Sequence, residues 1–184
     1  MPHEGENAIS KAAEWIRKLE GHDFGARHPL LGSATACVTT IRGGENINSV
    51  PDFAEFTADL RTLPDQTHAA LIAELSRLFG PEAEIRVVTS FPGFATELDA
   101  PSTVPLLSLL QGRTGSPVQP AGAPYFTDAS ALVPAFDGVA TVIIGPGEAA
   151  QCHKTDEYCF VERIEEAQAI YRDLMLSMCC DRTG

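Results

Sequence analysis

The chain has 184 residues, of which 44% are hydrophobic and 21% charged, a composition that is typical of a globular protein and excludes a disordered chain. Its net charge of -12 repels phosphate backbones, so we expect no nucleic-acid partner. The sequence contains neither a run of about 18 to 20 apolar residues nor a signal peptide, so we expect a cytoplasmic protein without a membrane partner.

The five cysteines are an odd number, and no two of them form a CxxC pair. The sequence therefore predicts neither a disulfide framework nor a cysteine zinc site, and we expect most of these residues to be buried thiols or, at the C-terminus, residues of a frayed end. They are Cys37, Cys152, Cys159, Cys179 and Cys180.

The first half of the chain alternates between helical and strand patterns. Asn7 and Gly21 suit the two ends of a first amphipathic helix, and Pro64-Asp65 opens a second helix. The predicted elements are a helix at 7–20, strands at 34–42 and 53–61, a helix at 64–79 and a strand at 84–90. This order predicts a two-layer α/β sandwich that lacks a leading strand.

A turn-rich connector at 91–101 precedes the second half, and we place a domain boundary between residues 1–93 and 94–184. The β-branched run before Gly145-Pro146-Gly147 predicts a buried strand that ends abruptly. The predicted elements of this half are a helix at 102–113, a short helix at 129–133, the strand at 139–144 and a helix at 161–178. The second half therefore also predicts β/α layering.

Arg61 ends the second predicted strand, and Asn48 lies in the turn before that strand. Arginine can bind a carboxylate through two parallel hydrogen bonds, and an asparagine amide adds a third donor, so the two side chains could hold an acidic substrate. The alternative interpretation makes Arg61 an ion-pair partner of Glu55 or Asp59, and Asn48 a turn former.

Thr127 and Asp128 lie between a Gly/Pro-rich loop and a short predicted helix. Either side chain could cap that helix. The functional alternative is that the Thr127 hydroxyl and neighbouring backbone N–H groups receive a substrate carboxylate.

His153 follows the predicted strand at 139–144, at the kind of strand end where open α/β sheets bind ligands. A neutral imidazole is a common metal ligand, and it also exchanges protons near neutral pH. The alternative is an ordinary loop histidine. A metal-ligand set of Cys152, His153 and Asp156 is a further alternative, although neighbouring residues on one loop rarely surround a metal ion.

Several motifs follow one another along the chain. They are Pro2-His3-Glu4-Gly5-Glu6-Asn7-Ala8-Ile9, Asn48-Ser49-Val50-Pro51, Asp59-Leu60-Arg61, Thr127-Asp128-Ala129, and Gly145-Pro146-Gly147 with His153 and Asp156-Glu157-Tyr158. This ordered set resembles the zinc aminoacylase and carboxypeptidase family of metallopeptidases, which includes acetylornithine deacetylase and succinyl-diaminopimelate desuccinylase.

The resemblance implies a lid or dimerisation domain at 1–93, followed at 94–184 by the C-terminal β/α part of a zinc-exopeptidase-like catalytic domain. It implies a hydrolase in which two zinc or cobalt ions activate a water that attacks the amide of a small N-acyl amino acid. His153 matches a metal-binding histidine of the family. The substrate-binding positions, often completed across a homodimer interface, match Asn48, Arg61, Thr127 and Asp128.

The family's HxD motif, its Glu-Glu pair and most of its other metal ligands precede the lid domain, whereas this chain begins inside that domain. We therefore expect a fragment that holds no metal pair and is inactive alone. The alternative is a stand-alone dimerisation or small-molecule binding module without catalysis.

Overall fold

The computed structural model describes residues 5–25, 27–101, 103–152 and 154–180, without the side chains of residues 114 and 180. Within these residues, helices occur in both halves of the chain and the strands lie between residues 27 and 61, so the predicted class of mixed α and β structure is confirmed. One compact unit contains Met1–Phe94 and Ala121–Pro134, and the other contains Ala95–Pro120 and Ala135–Gly184. The domain division after residue 93 stays a prediction.

The first helix, α1, spans Ala8–Glu20, close to its predicted limits. Asn7 caps it, because the Asn7 Oδ1 accepts a hydrogen bond from the Ser10 N–H at 3.1 Å. Gly21 follows the last helical residue, as the sequence predicts.

Four strands follow α1 in the chain: β1 (Arg27–His28), β2 (Gly32–Ser33), β3 (Thr35–Gly43) and β4 (Ala54–Arg61). Strand β1 pairs with β2 and β3 pairs with β4, both in antiparallel orientation. The register of the longer pair places Thr35 opposite Arg61 and Gly43 opposite Ala54. Along residues 56–61 the side chains alternate between half-buried and exposed, so β4 presents one covered face and one open face.

The second helix, α2, spans His68–Phe79. The predicted start at Pro64 is wrong, because the Thr67 Oγ1 accepts from the Ala70 N–H at 3.4 Å and so caps the helix later in the chain. Gly80 ends the helix with a φ angle of 82°, in the left-handed region that glycine adopts without a steric penalty.

The core of the first unit lies between the helices and the β3–β4 pair. Helix α1 lies against both strands and contacts α2. The Phe79 ring centroid is 5.6 Å from that of Trp15 on α1 and 6.1 Å from that of Phe56 on β4, so one ring joins three elements. The buried apolar residues of this unit are Ala12, Leu19, Leu63, Leu71 and Leu75.

The later helices are α3 (Thr103–Thr114), α4 (Ala129–Ala135) and α5 (Val161–Cys180), and Ala149–Gln151 forms a short 3-10 helix. In the second unit α3 packs against α5. Their buried residues are Thr103, Leu106, Ala167 and Ile170. Within the described ranges, none of the helices is long and apolar enough to cross a membrane.

Two predicted strands are wrong. Residues 84–90 and 139–144 form no β-ladder in the part of the chain that the structure describes. A strand needs hydrogen bonds to a neighbouring strand, and an apolar sequence pattern does not report whether that neighbour exists. A side chain binds the second segment instead, because the Thr96 Oγ1 accepts from the Thr141 N–H at 2.9 Å.

The apolar face of α5 is only partly covered. Ala167 and Ile170 are buried, whereas Val161 and Met178, which the apolar spacing places on the same inward face, are exposed. The expectation of buried thiols is wrong for Cys37, Cys152 and Cys159, which are exposed, and Cys179 near the C-terminus is exposed as well. Apolar spacing reports which residues share a face of a helix, and a second element must cover that face before it is buried.

Candidate substrate-binding site

Arg61 is the last residue of β4 and lies on the open face of the strand. Its Nη2 is 2.7 Å from the Oδ2 of Asp59, and the two side chains are 45% and 47% exposed. Residues two positions apart in a strand point to the same side, which explains the ion pair. The guanidinium of Arg61 is therefore accessible to a ligand, although an internal carboxylate already contacts it.

The backbone directly after Arg61 is fixed by a group of polar side chains. The Thr62 Oγ1 is 3.3 Å from the Nε2 of His68, and the His68 Nδ1 is hydrogen-bonded to the Ser90 hydroxyl. We refer to Thr62, His68 and Ser90 as the strand-end cluster. Leu63, the next residue, is buried. Because these contacts tie the end of β4 to the start of α2, Arg61 projects from a rigid position.

Asn48 lies at the other end of the β3–β4 pair. It is exposed in the loop between the strands, and its N–H is 3.4 Å from the Oδ1 of Asn46. The 8 residues of β4 separate the two ends by about 23 Å, at a rise of about 3.3 Å per residue. One protomer therefore does not bring Asn48 and Arg61 together.

Thr127 and Asp128 precede α4, and their backbone carbonyls accept its first hydrogen bonds. The Thr127 carbonyl accepts from the Ser130 N–H at 3.0 Å, and the Asp128 carbonyl accepts from the Leu132 N–H at 2.9 Å. Thr127 is half-buried and Asp128 is exposed. The Asp128 side chain is thus available to a ligand.

The loop that carries Thr127 is in the same compact unit as Arg61. The ring centroids of Phe126 and Phe91 are 5.1 Å apart. Two residues after Phe91, Gly93 lies so close to the backbone that follows Arg61 that an added Cβ would be 3.3 Å from the Thr62 carbonyl. These contacts place the loop on the side of the unit where β4 ends.

His153 lies outside the described residues, so its assignment as a metal ligand stays a prediction. Across the ranges that the structure does describe, no group of three or more His, Cys, Asp or Glu side chains could hold a metal ion. These residues therefore do not by themselves fit the zinc or cobalt centre that the resemblance implies.

Sequence reasoning missed the strand-end cluster. His68 and Ser90 are 22 positions apart, and no local pattern connects them. The Asp59–Arg61 ion pair, in contrast, has a clear signal in the sequence, because opposite charges two positions apart on a strand share a face.

Residues 1–86 match the family described as the peptidase dimerisation domain, M20_dimer. The first part of the chain is therefore similar to a peptidase dimerisation domain. This match covers α1, the four strands and α2, the elements that carry Asn48 and Arg61.

Two curated proteins are similar in sequence. An acetylornithine deacetylase of Myxococcus xanthus is 26% identical over 198 residues, which cover 98% of this chain and 49% of the relative. A probable succinyl-diaminopimelate desuccinylase of Staphylococcus aureus is 25% identical over 163 residues, which cover 83% of this chain and 40% of the relative. The chain thus spans half or less of the length of these relatives.

Two solved structures have the same fold. The aminopeptidase PepT from Bacillus cereus superposes with a TM-score of 0.69 at 24% identity and covers 94% of this chain and 46% of that chain. An M20 family metallo-carboxypeptidase from Sulfolobus solfataricus superposes with a TM-score of 0.64 at 15% identity and covers 95% of this chain and 43% of that chain. Together, these matches confirm the resemblance to the M20 metallopeptidases.

Proposed function

We propose that the chain is part of a metal-dependent amidohydrolase that removes the acyl group from small N-acyl amino acids, in the manner of an acetylornithine deacetylase or a succinyl-diaminopimelate desuccinylase. The observation that carries the proposal is an accessible arginine beside a hydrogen-bonded strand end, within the residues that match a peptidase dimerisation domain. In this proposal Arg61 binds the substrate carboxylate by charge-assisted hydrogen bonds.

Thr127 and Asp128 supply further contacts to the substrate in this proposal. The Thr127 hydroxyl can donate to a carboxylate oxygen, and the exposed Asp128 carboxylate can accept from a substrate amino group. An N-acyl amino acid with a basic side chain presents both groups. Their location in the same compact unit as Arg61 supports this assignment.

Asn48 requires a second protomer. Because Asn48 and Arg61 lie at opposite ends of the β3–β4 pair, we propose that a homodimer brings the Asn48 of one protomer to the Arg61 of its partner. The match to a dimerisation domain supports a dimer. A closed two-fold dimer would then contain two equivalent sites.

We propose zinc or cobalt as the cofactor of the complete enzyme, with His153 as the ligand from this chain. A metal pair would supply an activated water and polarise the amide carbonyl. The residues placed in the site above have a different task, which is to bind and orient the substrate.

The test is release of acetate from N-acetyl-L-ornithine by the purified protein that carries this chain, with zinc or cobalt added. We expect hydrolysis that a chelator abolishes, and the Arg61→Gln variant should raise KM roughly tenfold to hundredfold because a charged hydrogen-bond donor is lost. The Glu55→Gln variant, on the same strand, is the matched control and should leave KM unchanged.

A non-catalytic dimerisation or small-molecule binding module is the second candidate. It is favoured by the lack of a metal-binding group among the described residues. If the complete protein that carries this chain sediments as a folded dimer, contains no metal and hydrolyses no N-acyl amino acid, the module is established and the deacylase is excluded.

A further inference from the structure

Asp59 forms an ion pair with Arg61, the residue that binds the substrate carboxylate in the proposed function. A carboxylate oxygen of Asp59 is 2.7 Å from one terminal nitrogen of the Arg61 guanidinium. A guanidinium has five N–H donors in a fixed fork, and it binds a carboxylate best through two parallel hydrogen bonds. Asp59 contacts one terminal nitrogen of the guanidinium. Its contact therefore resembles one half of the two-bond contact that a substrate carboxylate would make.

The residues directly opposite this ion pair on the neighbouring strand are uncharged. In the β3–β4 register Asp59 faces Cys37 and Arg61 faces Thr35. Neither neighbour competes for the guanidinium as an anion, and neither supplies a second positive charge. Asp59 is therefore the group on this part of the sheet that offsets the charge of Arg61.

Because the ion pair is exposed, a ligand carboxylate can replace Asp59 at Arg61. Both side chains are nearly half exposed, and ion pairs in such positions contribute little net free energy. A ligand carboxylate that accepts hydrogen bonds from two donors of Arg61 can bind more strongly than the single contact of Asp59. However, Asp59 is tethered to the same strand, so it competes at an effective concentration on the order of millimolar or higher.

We propose that Asp59 is an internal competitor that occupies Arg61 in the absence of ligand and thereby weakens the binding of every carboxylate substrate at this site. This inference rests on the proposed function, in which Arg61 binds the substrate carboxylate. It identifies Asp59 as a residue that sets affinity, and it assigns the site to ligands that present both oxygens of a carboxylate to the guanidinium.

The test measures the dissociation constant of N-acetyl-L-ornithine by NMR titration of the purified protein that carries this chain and of its variants. Asp59→Asn keeps the size and the hydrogen-bond acceptor but removes the charge, so it should tighten binding roughly twofold to fivefold. Asp59→Ser is a second variant with the same expected direction. Glu55→Gln removes the charge of the Arg42–Glu55 pair at the other end of the strand and should leave binding unchanged.

The two proposals fail in different ways. Loss of binding in Arg61→Gln together with unchanged or weaker binding in both Asp59 variants would overturn the competitor role and leave the proposed function standing. Binding that is absent in the wild type, or equal in the wild type and Arg61→Gln, would overturn both. The amide analogue of N-acetyl-L-ornithine, which lacks the carboxylate, should bind equally to the wild type and to Asp59→Asn. If Asp59→Asn tightened the binding of the amide as much as the binding of the acid, this result would also overturn the competitor role.

Discussion

Lys11 on α1 joins two segments of the first unit. Its Nζ is 2.8 Å from the Oε2 of Glu6 and 2.6 Å from the Oε2 of Glu82. The hydrogen bonds to these two carboxylates raise the pKa of Lys11 from 10.5 to about 12. The stability that Lys11 contributes is therefore complete below pH 10.5 and is lost as the pH rises through about 12.

The pKa of Glu6 is lowered below 4.5, mainly by the hydrogen bond from Lys11. Its contribution to stability is present above pH 4.5 and is lost as the pH falls through its folded-state pKa. We predict that Lys11→Met returns the pKa of Glu6 towards 4.5, as measured by NMR titration of the carboxyl carbon.

Lys18→Met is the matched control for this measurement. Lys18 pairs with Glu14 on the same helix at 2.7 Å and does not contact Glu6. The pKa of Glu6 should therefore be unchanged in this variant. Identical titration of Glu6 in the wild type and in Lys11→Met would contradict the assignment.

Among the elements of the first unit, the end of β4 and the start of α2 are joined by a contact that holds the backbone next to Arg61. We predict that His68→Ala, which removes the hydrogen bonds to Thr62 and Ser90, lowers the free energy of unfolding by about 1 to 2 kcal/mol. Urea unfolding followed by the fluorescence of Trp15, the single tryptophan, reports on this unit.

Ser90→Ala should lower the free energy of unfolding by about half as much as His68→Ala, because it removes one of the two hydrogen bonds. Thr89→Ala alters an exposed neighbour of Ser90 and is the control, with no expected loss. If all three variants unfold at the same urea concentration as the wild type, the strand-end cluster does not fix the end of β4.

The sequence predicts individual helices and strands better than it predicts which of them pair with each other. Helix α1 and its Asn7 cap follow from local spacing and capping chemistry, and the strands β3 and β4 follow from local sequence patterns. The start of α2 differs because Thr67 caps the helix after Pro64. The predicted strands at 84–90 and 139–144 are wrong because pairing depends on distant parts of the chain.

For the molecule as a whole, the sequence predicts which residues belong to the candidate site. It does not predict how these residues are arranged in space. The residue types at Asn48 and Arg61 indicate a carboxylate-binding role, and the Asp59–Arg61 pair follows from strand periodicity. The separation of Asn48 from Arg61 becomes clear only in the paired register of β3 and β4. That separation is the reason why the proposed site needs two protomers.

Mixing two variants tests this two-protomer site most directly. In a mixed dimer of Asn48→Ala and Arg61→Gln chains, one site contains both substitutions and the other contains neither. We predict that each variant alone loses binding of N-acetyl-L-ornithine, and that an equal mixture regains about one quarter of the wild-type sites, because half of randomly formed dimers are mixed. A mixture that binds no more ligand than the separate variants would contradict the account.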